Sequence, residues 1–152
     1  METVRIQESV LDAMLAEARR TPAQECCGLL AGREGVITTL LPTTNVLASA
    51  THYEIAPEEL FRLFKQMRAE DLQHMGIYHS HPRGPNIPSP TDVKRAFYPD
   101  AAYFIVSPAL HVAQPVRAFQ IRGSQFRELM IAQQEPGSRV NQVPGNSREK
   151  RS

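Results

Sequence analysis

Apolar and polar positions along the chain follow two periods, one typical of helices and one typical of strands. The helical period predicts a first helix over residues 9–20, whose apolar face consists of Val10, Ala13, Met14 and Ala18. A second helix is predicted over residues 56–71, because Pro57 suits a first helical turn and the two glutamates beside it suit the positive end of the helix dipole. Its predicted apolar face consists of Leu60, Phe61, Phe64 and Met67.

Short apolar runs between and after these helices predict strands. Residues 25–32 and 36–42 are predicted to form a hairpin across the turn at 32–35. Further strands are predicted at residues 4–6, 51–55, 74–81, 102–107 and 116–121, with a short helix at 89–97. The pattern at 125–132 fits either a strand or a final helix, and residues 43–50 fit a loop.

Length and charge narrow the class of protein. A chain of 152 residues suits a single domain with a sizeable core. A formal net charge of +1 gives no strong field for nucleic acid or an anionic membrane, and no apolar run approaches the ~20 residues of a membrane span. The N-terminus does not resemble a secretory signal, so we expect a cytoplasmic protein. Composition predicts a domain over residues 1–133 and a disordered basic tail over 134–152.

The two cysteines, Cys26 and Cys27, are adjacent in the chain. A disulfide between neighbouring residues has poor geometry, and no C-x-x-C spacing is present. We therefore interpret both as small, partly buried strand residues rather than as a redox pair or metal ligands.

Two histidines, His79 and His81, lie two residues apart at the end of a predicted strand. Residues at this spacing point to the same face of a strand, so the two imidazoles can converge on one point. The alternative is a pair of surface histidines at a strand end, and the spacing alone does not decide between the two.

Ser89 and Asp92 follow in the sequence Ser-Pro-Thr-Asp. A serine N-cap, a proline at the first helical position and an acidic residue at the third are typical of a capping box. Helix capping alone would account for both residues. It is also compatible with a functional site, because a helix start would hold the carboxylate on a fixed element.

Taken together, His79, His81 and Asp92 form a set of ligands typical of catalytic zinc, which leaves a fourth position for water. The loop between the ligands contains four prolines and is therefore restricted before a metal binds: Pro82, Pro85, Pro88 and Pro90. Zinc suits two imidazoles and a carboxylate, although iron and manganese also bind such sets.

Glu25 is the candidate for a general base beside such a metal. It begins an otherwise apolar segment, where a carboxylate is costly unless it has a partner or a role. The alternative is a solvated glutamate at the edge of a strand.

The complete pattern is Glu25, then His-Ser-His-Pro at 79–82, then six residues, then Ser-Pro-Thr-Asp at 89–92. It resembles the JAMM metalloprotease family, also called MPN-plus domains, and matches every position of that family's motif. The surroundings of Glu25 resemble the bacterial branch, and the resemblance extends over residues 1–133. It implies an α/β fold in which a mixed β-sheet is flanked by helices, an α-β-α sandwich related to cytidine deaminases.

The resemblance also implies a role for each motif residue. His79, His81 and Asp92 would bind one zinc ion per chain. Glu25 would accept a proton from the attacking water and pass it to the leaving amine. Ser89 would donate a hydrogen bond to the oxyanion of the tetrahedral intermediate.

The substrates implied by the resemblance are peptide or isopeptide bonds after the Gly-Gly end of a ubiquitin-like protein. The chain resembles short bacterial members, some of which act on sulfur-carrier proteins by releasing cysteine or a C-terminal extension. The sequence does not choose among these substrates, and it does not give the oligomeric state.

Three other functions are weighed against hydrolysis. A catalytically inactive MPN-type scaffold would have lost metal ligands, and none is missing here. A nucleobase deaminase could use the H-x-E of His52 and Glu54, but it also requires a downstream P-C-x-x-C, which the chain lacks. The third is a metal-binding or sensing module without hydrolysis. His74 and His111 are interpreted as surface or capping histidines.

Overall fold

The structure, a computed structural model, describes residues 2–135. Seven strands and three helices follow one another along this part of the chain. In order they are β1 (Thr3–Gln7), α1 (Glu8–Arg20), β2 (Cys27–Arg33), β3 (Val36–Thr43), α2 (Pro57–Ala69), β4 (Gln73–Ser80), α3 (Pro90–Lys94), β5 (Ala102–Val106), β6 (Val116–Arg122) and β7 (Gln125–Gln134). Apart from its first two positions, the tail predicted at 134–152 lies outside the described residues.

The strands form one mixed sheet in the order β1-β3-β2-β4-β5-β6-β7. Strand β1 pairs in parallel with both β3 and β7, so the sheet closes on itself. Strands β4 and β5 are also parallel, and the remaining neighbours are antiparallel. The predicted fold class, a mixed sheet with helices, is confirmed. The closure was not predicted, because it depends on pairing between the first and last strands of the chain.

A hydrophobic cluster covers each face of the sheet. Helix α1 contributes Val10 and Met14 to one cluster, which also contains Phe104 of β5. Helix α2 contributes Leu63 and Met67 to the other. The two clusters use alternate strand residues, as a sheet covered on both sides requires.

The predicted apolar face of α2 was wrong at one position. Phe61 is 67% exposed, and Leu63 takes its place as a buried residue of the helix. Leu60 and Phe64 do pack against the cluster, so the true face is rotated toward Leu63. The Lys65 ammonium lies 5.4 Å from the centre of the Phe61 ring at the surface.

The strand predicted at residues 51–55 is also wrong. This segment belongs to no strand of the sheet, and its backbone bonds instead to the loop that precedes it, through Asn45 and Val46. The ambiguous segment at 125–132 forms part of strand β7. Among residues 2–135, no helix has both the length and the apolar character that a membrane span needs.

Candidate metal centre

Strand β4 carries the two histidines to one edge of the α2 face. His79 is the penultimate residue of β4, paired with Cys27 of β2 and Ile105 of β5, and His81 follows the strand directly. Both imidazoles are buried. The intervening Ser80 turns away and its hydroxyl accepts a hydrogen bond from the Cys26 amide at 2.9 Å. His79 and His81 therefore point to the same face, as their spacing predicts. They are buried and are not a pair of surface histidines.

Helix α3 supplies the carboxylate through a complete capping box. The Ser89 hydroxyl accepts a hydrogen bond from the Asp92 amide at 3.1 Å, and the Ser89 amide donates to Oδ2 of Asp92 at 2.9 Å. The second bond ends on the same oxygen that faces the histidines. Capping and a role in the site are therefore combined in these two residues.

Three candidate ligand atoms converge at this point. The Nε2 atoms of His79 and His81 are 3.1 Å apart, and Oδ2 of Asp92 lies 3.2 Å from the first and 3.0 Å from the second. These separations are close to the ~3.3 Å edge of a tetrahedron whose ligands lie about 2.0 Å from zinc. Among the described residues, this is the group of His, Cys, Asp and Glu side chains found to be close enough to hold a metal.

The hydrogen bonds around the three atoms are compatible with a bound cation. Nδ1 of His81 lies 2.8 Å from the carbonyl oxygen of Pro85, so a neutral His81 donates there and presents an unprotonated Nε2 to the site. Nδ1 of the buried His79 has no partner within residues 2–135. One cation at this point would bind both Nε2 atoms and the carboxylate oxygen at once.

The pKa values of His79 and Asp92 also suit metal ligands, whereas for His81 the effect of burial is outweighed by hydrogen bonds to Asp92 and Pro85, which raise the pKa. Burial lowers the pKa of His79 despite the nearby carboxylate, which favours the neutral imidazole. Burial would raise the pKa of Asp92, but its hydrogen bonds with His79 and His81 outweigh burial and hold that pKa well below its usual range. A neutral imidazole and an ionised carboxylate are the forms that bind metal.

Glu25 is placed beside this group, two residues before β2 begins. Its side chain is 2% exposed, so the alternative of a solvated strand edge is wrong. Burial raises the pKa of Glu25 to about 8, an effect that the charge of His81 opposes and the charge of Asp92 reinforces. Its Oε1 has no hydrogen-bond partner among the described residues. A buried carboxylate with a pKa near neutrality is suited to exchanging protons.

Two residues that the sequence analysis did not single out also lie at the site, Tyr53 and Asn45. The ring of Tyr53 stacks on His79, with centroids 4.6 Å apart and an angle of 24° between the planes. Asn45 is buried and bonds to the backbone on both sides of Tyr53 and to the carbonyl of Glu25. The sequence predicts a loop at residues 43–50 and a strand at residues 51–55. Polar residues in a loop carry little sign of a functional role.

An apolar cavity of about 140 Å³ opens beside Asp92, one of the three candidate ligands. Asp92 and Tyr53 line it on the side of the site, and its other walls include Leu29, Ile77 and Leu60. The cavity therefore continues the surface of the candidate centre toward α2.

The other candidates named from the sequence lie outside the group. His52 is exposed, and the group of potential metal ligands includes neither it nor Glu54. His74 is half-buried rather than at the surface, because its ring packs edge-on against Phe64 and Tyr98. Both cysteines are buried and unbridged, as expected: Cys26 and Cys27.

Comparisons with known proteins agree with this geometry. A family model for prokaryotic homologues of the JAB domain matches residues 7–122. The chain is 35% identical to a desampylase from Haloferax volcanii over 80% of its own length and 89% of the relative's. It is 37% identical to a CysO-cysteine peptidase from Mycobacterium tuberculosis over 76% of its length and 81% of the relative's.

A solved structure has a similar fold. The solution structure of a protein from Desulfitobacterium hafniense superposes with a TM-score of 0.75 at 33% identity, covering 89% of this chain and 94% of that one. The resemblance to the JAMM/MPN-plus domains is thereby confirmed. The chain belongs to the family of prokaryotic JAB-domain proteins.

Proposed function

We propose that this protein is a zinc-dependent peptidase that hydrolyses the bond after the C-terminal Gly-Gly of a ubiquitin-like or sulfur-carrier protein. The observation that carries the proposal is the convergence of His79, His81 and Asp92 beside a buried Glu25. The names of the relatives support the substrate class, because desampylase and CysO-cysteine peptidase both describe cleavage of such proteins.

The three convergent side chains would hold one zinc ion. Zinc supplies a Lewis acid that polarises the scissile carbonyl and makes water a stronger acid. Zinc is proposed because two imidazoles and one carboxylate, with a fourth position left for water, are a set typical of catalytic zinc.

Glu25 would move the protons of the reaction. As the carboxylate it accepts a proton from the attacking water, and as the acid it passes that proton to the nitrogen of the leaving group. The burial that raises its pKa to about 8 makes it a stronger base than an ordinary glutamate and also a usable acid. A single residue can therefore serve both halves of the hydrolysis.

Ser89 would stabilise the developing negative charge on the carbonyl oxygen. Its Oγ accepts a hydrogen bond from the Asp92 amide, which leaves the hydroxyl hydrogen free to donate elsewhere. A donor held at a helix start needs little reorganisation during the reaction.

The inactive-scaffold alternative is not favoured by any observation, because no metal ligand of the motif is missing and His79, His81 and Asp92 converge. The remaining finer question is what leaves: free cysteine, a C-terminal extension or a conjugated protein. No contact among the described residues distinguishes these three leaving groups.

The test is incubation of the zinc-loaded protein with three forms of one Gly-Gly-ending carrier: a cysteine adduct, a short C-terminal extension and an isopeptide conjugate. Intact-mass spectrometry should show a product ending at the second glycine for at least one form. Zinc-loaded protein that cleaves none of the three would contradict the proposal. The form cleaved with the highest kcat/KM identifies the leaving group.

A further inference from the structure

Asn45 makes more hydrogen bonds than any other residue of the loop between β3 and α2. Its Nδ2 donates to the carbonyl oxygens of Glu25 and His52, both at 3.0 Å. Its Oδ1 accepts from the amides of Leu47 and Glu54, both at 3.1 Å. Two donors and two acceptors exhaust the capacity of the amide, and the buried side chain fits in one orientation only, with nitrogen toward the carbonyls.

The backbone of Glu25 depends on this loop for its position. Glu25 precedes β2 and so lies outside the hydrogen-bond ladder of the sheet. Its carbonyl is held by Asn45, and its amide donates to the carbonyl of Ser49 at 2.8 Å. Within residues 2–135 its Oε1 has no partner. Because no hydrogen bond within residues 2–135 anchors this oxygen, the bonds that hold Glu25 are those of its backbone to the loop.

The same asparagine fixes the residues on either side of Tyr53. The bonds to His52 and Glu54 hold the backbone before and after it, and a further bond joins the Val46 amide to the Glu54 carbonyl at 3.0 Å. The Tyr53 ring in turn stacks on the metal ligand His79. One amide thus connects the base, on one side, with the ring that packs against a ligand, on the other.

We propose that Asn45 is a positioning residue, which holds Glu25 and the Tyr53 segment in the arrangement that aims the Glu25 carboxylate at the attacking water. The proposal rests on the hydrolysis proposed above. It assigns Asn45 no contact with substrate or metal. Its effect is to keep the base within the narrow range of positions in which proton transfer is fast, since a displacement near 1 Å can cost about 100-fold in rate.

The test is Asn45→Asp, which keeps the shape and both acceptor bonds but replaces the two donors that face Glu25 and His52. With the cysteine adduct, extension or isopeptide form that the wild type cleaves, kcat should fall about 100-fold. KM and the zinc content should stay within about twofold, because the side chain touches neither substrate nor metal. Asn45→Ser removes both donors without adding a charge, because its shorter side chain does not reach the two carbonyls, and its kcat should fall similarly. This variant is used if Asn45→Asp does not fold.

Leu11→Ala is the control for a merely structural effect. It removes packing from α1 on the opposite face of the sheet, so it should lower the melting temperature without lowering kcat. An Asn45 variant whose kcat equals that of the wild type would overturn the proposal. The proposal would also be overturned if Leu11→Ala, at a melting temperature equal to that of the Asn45 variant, showed the same loss of kcat.

Amide hydrogen exchange tests, without any turnover, whether Asn45 holds Glu25 and the loop in place. The Glu25 and Val46 amides do not bond to Asn45, yet they should exchange about tenfold faster in Asn45→Asp because the loop loosens, while α1 is unaffected. Unchanged exchange at both amides would overturn the proposal. If the wild type cleaves no test substrate, the proposed function fails on its own, and the exchange rates still decide whether Asn45 holds Glu25.

Discussion

At the scale of single residues, Glu25 sets the pH dependence that we expect. The base acts as a carboxylate, so kcat/KM should rise with pH as Glu25 loses its proton. Burial places its pKa at about 8 instead of 4.5, and a cation bound nearby would stabilise the carboxylate and lower that value. The acidic limb of the profile should therefore have its midpoint between 4.5 and 8, measured as kcat/KM of zinc-loaded protein.

Glu25→Gln should remove this limb and lower kcat by about 10²- to 10⁴-fold with zinc retained. Glu17→Gln is the matched control, because burial also raises the pKa of Glu17, whose Oε1 accepts a hydrogen bond from the Tyr78 hydroxyl on the other face of β4. It should leave the limb unchanged. A Glu25→Gln protein with wild-type turnover would exclude Glu25 as the base.

Ser89 should serve both stability and rate. Ser89→Ala removes the cap of α3 and should cost about 1 kcal/mol of unfolding free energy. It should also lower kcat by about 10²- to 10³-fold at saturating zinc, because a donor to the oxyanion is lost. Ser89→Thr restores a hydroxyl and a cap and should recover most of both. If Ser89→Ala loses stability but keeps its kcat, the hydroxyl is a cap alone.

The residues predicted from the sequence and those missed differ in how they act. His79, His81, Ser89 and Asp92 are close in sequence, and their spacing alone carries a strand-face and a helix-cap argument. Glu25 was a candidate because a carboxylate at the start of an apolar segment is costly without a role, and the family resemblance then supported its role as a base. Tyr53 and Asn45 were missed because they act through ring stacking and backbone contacts, which leave no pattern in one sequence.

At the scale of secondary structure, the site depends on how closely β2 approaches its two neighbours. A Cβ added at Gly28 would lie 2.5 Å from the carbonyl oxygen of Leu41 in β3 and 2.5 Å from Cε1 of Tyr78 in β4. Gly28→Ala should therefore cost about 1–3 kcal/mol in urea unfolding. It should also weaken zinc binding, since Tyr78 directly precedes the proposed ligand His79.

Gly123→Ala separates these two effects. Gly123 has a φ of 61°, and a Cβ there would meet no atom within 4 Å. Its alanine variant should lose stability through backbone strain but bind zinc as the wild type does. Equal zinc affinity for Gly28→Ala and Gly123→Ala would show that the spacing of β2 and β4 does not affect the site.

The elements were predicted well where their periodicity is local and poorly where contacts at a distance decide. Helix α1 and the hairpin of β2 and β3 follow from spacing and turn residues. Residues 51–55 have a composition typical of strands, yet the hydrogen bonds of Asn45 hold their backbone in a loop. In α2, the position of the sheet below the helix selected Leu63 over Phe61, and the helical period alone could not make that choice.

At the scale of the whole molecule, the closed sheet brings distant parts of the chain together. Strand β1 bonds to β7 from Thr3↔Met130 to Gln7↔Gln134, and to β3 at Arg5↔Val36. The mixed α/β class followed from the order of elements and the family resemblance. The closure did not, because both partners of β1 are β-strands of ordinary composition that offer no sign of their pairing.

The central claim is that His79, His81 and Asp92 bind one catalytic zinc ion, and elemental analysis of the gently purified protein tests it most directly. We predict about one zinc per chain in the wild type and in Glu25→Gln, because one three-ligand site holds one ion. His81→Ala and Asp92→Asn should retain far less, since each removes a ligand. A wild-type protein without metal, or ligand variants that keep a full equivalent of zinc, would contradict the account.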